Sequence, residues 1–90
     1  MKNKVVYQVL FAKKAVKEFK KLPYDIRVRI DKSINEKLYH MPGQYLVPLS
    51  GVLSGLYKFR VGDYRLICKR ENEKLIILVL TVRHRREVYE

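Results

Sequence analysis

Cysteine is nearly absent. The chain has one, Cys68, so no intramolecular disulfide can brace it, and one thiol with two histidines gives no metal-ligand spacing. Acidic residues are scarce, nine against twenty lysines and arginines. Long apolar runs are missing too: the longest, LIILVLTV at 75–82, is far short of the ~20 residues a membrane helix needs. No cationic start followed by an apolar stretch resembles a signal peptide. These absences lead us to expect no metal, no cofactor and no membrane partner, and a cytoplasmic location. Glycine and proline number four and three. Neither the P-loop nor the dinucleotide-binding spacing occurs, so the glycines of the 43–56 stretch read as turn formers rather than a phosphate cradle.

What is present is charge on a chain that must nevertheless fold. Ninety residues make one domain, 1–90, with a single core. Nearly half of them are apolar and seven are tyrosine, which excludes disorder. The net charge of +11 lies outside the range of about 2 to 8 that solubility asks of a small domain. That excess implies a polyanionic partner, nucleic acid foremost.

VVYQVL (5–10) is β-branched and aromatic, and reads as a strand. Ala12, Ala15, Val16, Phe19 and Leu22 then recur at helical spacing, which turns Lys14, Lys17 and Lys21 outward. Pro23 stops this helix and starts the next, where Ile26, Ile30, Ile34 and Leu38 fall at intervals of four. Met41-Pro42-Gly43 ends the second helix, and 43–56 forms a loop with room for one short strand. Strands follow at about 56–61, 64–70 and 75–83, with turns at Gly62-Asp63 and Glu71-Asn72-Glu73. The expected fold is α+β in the order β-α-α-β-β-β: an antiparallel sheet meander with an N-terminal strand and a two-helix hairpin packed on one face.

Two stretches carry the chemistry. In YKFRVGDYR (57–65), Lys58 and Arg60 share a strand face. A two-residue Gly62-Asp63 loop puts Arg60 directly opposite Arg65. Opposed like charges destabilise a sheet by roughly 0.2–1 kcal/mol, a cost that a phosphodiester between two guanidinium forks would offset. The alternative is a solvated face whose cations pair with Asp63, Glu71 or Glu73. The chain then closes with RHRREVYE (83–90). There His84 is a candidate acid or base near neutrality, and Tyr89 either stacks on a base or packs back onto the sheet.

Over the opening strand, FAKKAVKEFKKLP, the second helix, GLYKFRVGDYRLI and HRREVY, the chain resembles the RelE/ParE superfamily of type II toxins. It is closer to the RelE branch of ribosome-dependent mRNA endonucleases. The resemblance implies metal-independent cleavage by attack of the RNA 2′-hydroxyl on the scissile phosphate, with Lys58, Arg60, Arg65, Arg83, His84 and Tyr89 as catalytic candidates. Lys58 or His84 would be the base, and crowding by Arg60 and Arg65 favours a lysine that has shed its proton. Arg65 with Arg60 would neutralise phosphoryl charge. Arg83, His84 or Arg85 would serve the leaving oxygen, and Tyr89 would orient the base. Lys14, Lys17, Lys21, Arg85 and Arg86 would bind RNA phosphates. The implied partners are mRNA, the ribosome and a cognate antitoxin, acidic and partly disordered. A ParE-like inhibitor of DNA gyrase and an inactive basic RNA-binding relative remain as other readings.

Overall fold

The computed structural model describes residues 6–87. Strand β1 (Gln8–Phe11) leads into α1 (Lys13–Lys20) and α2 (Tyr24–Ser33), which continues through a wider π-type turn, Ile34–Leu38. One further helical turn, α3 (Pro42–Tyr45), and a two-residue strand, β2 (Val47–Pro48), precede the meander β3 (Tyr57–Val61), β4 (Tyr64–Glu71) and β5 (Ile76–His84). A short 3-10 turn, Arg85–Glu87, follows β5.

The five strands form one sheet in the order β1-β5-β4-β3-β2. All neighbours are antiparallel except β1, which joins β5 in parallel. The expected architecture stands, with shifted boundaries. The first strand begins at Gln8 rather than at residue 5, which lies outside the described residues. Pro42 does not end helical structure: it opens another turn, since at a first-turn position its missing N–H costs nothing. The β4–β5 turn lies one residue later than expected, and Leu75 takes a left-handed φ of 56° there.

One sheet face carries the core. Phe59, Val61, Leu66, Cys68, Ile77, Val79 and Val82 are buried with Ala15, Ile30, Ile34 and Leu38 from the helical layer. The isoleucine stripe read from the sequence therefore does pack on the sheet. The Phe11 and Phe19 rings meet edge-on at 5.4 Å, tying α1 to the strand before it. No helix among the described residues is long and apolar enough to cross a membrane.

Cys68 sits in this core, and burial pushes its thiol from 9.0 up to about 12. It is a small core residue. An unfolded chain ionises this thiol near 9 while the folded chain holds it protonated to about 12. Its contribution to stability is therefore complete below 9 and lost as pH rises through that window. Cys68→Ala should flatten the alkaline limb of the stability profile measured by urea denaturation. Alkylation of the wild-type thiol at pH 8 should proceed only at the rate of opening, and immediate labelling of native protein would contradict this placement.

Candidate nucleic-acid interface

The sheet face opposite the helices gathers the cations. At the β3–β4 turn Gly62 has φ 58°, a left-handed value that suits glycine at the first position of a two-residue hairpin loop. The pairing that results places Val61 against Tyr64 and Arg60 against Arg65, as the loop length predicted. On the other side of β4, Arg65 pairs with Arg83. Opposed residues share a face, so Arg60, Arg65 and Arg83 form a row across three strands. Neighbouring Cα atoms in such pairs are about 4.5–5.5 Å apart, so the row spans only about 10 Å. Lys58 joins it on the same face, two residues along β3 from Arg60 and opposite Ile67.

Among the described residues the ion pairs are Lys69–Glu71 (3.7 Å), Lys74–Glu71 (3.8 Å) and Arg85–Asp63 (3.7 Å), and none involves Lys58, Arg60 or Arg65. Arg60 is exposed, and its Nε–H donates to the Gly62 carbonyl at 3.3 Å, holding the guanidinium near the hairpin tip. Arg65 is half-buried, and its Nε–H is shielded from solvent without a hydrogen-bond acceptor among the described residues. Leaving such a donor unmet costs on the order of 1–3 kcal/mol.

Not every candidate joins the row. His84 pairs with Tyr64, on the helix side of the sheet, and its ring meets the Tyr64 ring edge-on at 5.0 Å. Its Nδ1 accepts from the Arg86 N–H at 3.1 Å. Side chains alternate across β5, so Arg83 faces the row and His84 faces away. Arg85 turns back to the hairpin, where its N–H donates to the Asp63 carbonyl at 2.7 Å beside the Arg85–Asp63 ion pair. Arg86 is exposed on the closing 3-10 turn, while Tyr89 lies outside the described residues. Lys14 and Lys17 are exposed along α1, and Lys21 at its C-terminal end. A cavity of about 50 Å³ is lined by Ile26, Arg29, Ile30, Val61, Asp63 and Tyr64. It lies on the helix side, so the cations occupy a sheet face rather than that hollow. No group of His, Cys, Asp and Glu among the described residues could hold a metal ion.

The family of the ParE toxin of the type II toxin-antitoxin system matches residues 9–89. The chain belongs to the RelE/ParE superfamily of type II toxins. Toxin RelG of Mycobacterium tuberculosis is 30% identical over 83 residues, covering 92% of this toxin and 95% of the relative. The toxin–antitoxin complex RelBE2 of the same organism contains a chain that superposes with a TM-score of 0.84 at 29% identity, covering 97% of this toxin and all of that chain. An archaeal RelE–RelB complex from Pyrococcus horikoshii gives 0.73 at 27% identity, over 92% of this toxin and 99% of its counterpart.

If the row is held against its own repulsion, relieving it should stabilise the fold. Arg65→Gln is expected to raise urea stability by about 0.5–1 kcal/mol at low salt, with the gain shrinking as salt is added. Added polyphosphate should raise the Tm of the wild-type toxin more than that of Arg65→Gln. Equal shifts would show that the row does not hold the anion.

Proposed function

We propose that this toxin is an mRNA endonuclease acting on the ribosome. The observation that carries the reading is the Arg60–Arg65–Arg83 row beside Lys58, on a sheet face where no acidic residue among the described ones pairs with Lys58, Arg60 or Arg65. The RNA supplies the nucleophile. Lys58 takes the proton of the 2′-hydroxyl as that oxygen attacks phosphorus. Arg65, flanked by Arg60, donates to the non-bridging oxygens as their charge grows. Arg83 lies at the far end of the row, where a cation offsets the charge on the departing 5′-oxygen. The P–O5′ bond breaks, leaving a 2′,3′-cyclic phosphate, and the departing oxygen takes a proton from solvent water to become a 5′-hydroxyl. His84, on the other face, takes no part. Tyr89 keeps the role its resemblance implies, stacking on the base at the cleaved position.

Lys14, Lys17 and Lys21 supply affinity for ribosomal RNA phosphates without sequence choice. Arg86 extends that basic surface. The acidic, partly disordered antitoxin expected to neutralise the toxin would be drawn to the same charge. The cytoplasm is where such a toxin would meet its ribosome. The ParE name of the matching family favours a second reading, inhibition of DNA gyrase. Against it stand the retained hairpin cations and a short helical hairpin, α1 of eight residues and α2 of ten with its five-residue π-type extension.

Incubation with ribosomes programmed with mRNA should yield cut ends bearing 2′,3′-cyclic phosphate, and Arg65→Ala should lower the rate at least 10²-fold with the fold retained by circular dichroism. Undiminished cleavage by Arg65→Ala would sink the scheme. Inhibition of gyrase supercoiling without RNA cleavage would establish the second reading instead. Reversing charge at Lys14, Lys17 and Lys21 together should weaken ribosome binding and flatten its salt dependence; an unchanged slope would rule out docking through α1.

A further inference from the structure

We propose that Glu18 and Thr81 are positioning residues for Arg83, holding an irregularity in β5 that turns this arginine onto the row. The kinetic consequence rests on the cleavage reading above, whereas the structural one stands without it.

Pairing between β4 and β5 runs regularly from Glu71–Ile76 to Cys68–Val79 and then shifts: Ile67 meets Thr81, leaving Leu80 as an extra residue in β5. Such a bulge reverses the parity of all that follows on its strand. Val79 and Val82, three residues apart, both face the core. In an unbroken ladder Arg65 would pair with Val82, placing a valine among the cations, and Arg83 would turn to the helix side against Tyr64. The third member of the row therefore depends on one inserted residue.

Glu18 sits at that residue. Strand β1 ends at Phe11, opposite Val79, where the Ala12 N–H makes a last bond to the Val79 carbonyl at 2.9 Å. Beyond this point no strand among the described residues lies on that edge of β5. There Glu18, projecting from α1, accepts the Val82 N–H at 2.8 Å, and the Thr81 hydroxyl donates to both of its oxygens at 2.8 and 3.0 Å. Bonds to a carboxylate are about twice as strong as neutral ones. They fall on the two residues immediately after Leu80, so a slip of β5 by one position would break all three. Glu18 thus takes over from β1 at the sheet's edge and pins the register that Arg83 needs.

The test uses the full chain, with Glu18→Ala, Glu18→Gln and Thr81→Val read by cross-strand NMR contacts between residues 65 and 83 and by the kcat and KM of ribosome-dependent cleavage. Glu18→Ala should lose the 65–83 contacts and lower kcat about as far as Arg83→Ala, on the order of 10²-fold, with KM little changed. The Glu18→Ala/Arg83→Ala pair should fall no further than either alone. Glu18→Gln, which keeps an acceptor for the Val82 N–H, should retain both the contacts and kcat. If Glu18→Ala does not fold, Thr81→Val must show weakened 65–83 contacts. The proposal is overturned if Glu18→Ala, or Thr81→Val in its place, keeps those contacts intact, or if the losses from Glu18→Ala and Arg83→Ala multiply. Should the wild-type chain cut no RNA, the cleavage reading fails while the NMR comparison still decides the register.

Discussion

Repulsion between arginines held face to face is the constraint on which the rest depends. A sheet that opposes Arg60 with Arg65 and Arg65 with Arg83 forgoes the favourable cross-strand pairs those positions could have made. Its remaining features compensate. The opposite face is filled by large apolar side chains, among them Phe59, Ile30, Leu38, Leu66 and Ile77 with almost no exposure. A two-residue loop at one end and a carboxylate at the other keep the strands from sliding into a less repulsive register. The toxin invests stability from its core in a charged surface.

How much of this was legible depended on whether local rules fix it. The helices were, because Ala15, Phe19, Ile30, Ile34 and Leu38 mark their faces at regular spacing. So was Arg60 against Arg65, since a two-residue loop leaves one register. Arg83 was harder. The run LIILVLTV is apolar throughout, which hides the parity that an alternating strand displays, and nothing local signals that Leu80 is an inserted residue. For the same reason His84 looked as available as Arg83, although one residue separates opposite faces of the sheet. The cations lie on an open face, because the helices cover only the other side.

Glu18 illustrates what sequence patterning misses. On α1 it reads as one acid among lysines, a solvated residue on a charged helix. Its partners are more than sixty residues away, and its role arises only because β1 stops after four residues while β5 runs on for nine. Edges of sheets need covering. Here a side chain covers one at the point where the register changes. The cationic face and the acidic clamp that orients it therefore come from opposite ends of the chain.

The central claim is that three guanidinium groups on one sheet face receive a single phosphodiester. Its most direct test is an NMR titration of arginine Nε–Hε signals with a short oligoribonucleotide carrying a 2′-O-methyl group at the scissile position, which cannot supply the nucleophile. The account predicts that Arg60, Arg65 and Arg83 shift together along one saturation curve, while Arg29 beside the helix-side cavity stays still. Shifts confined to other arginines, or three unrelated curves for the row, would contradict it.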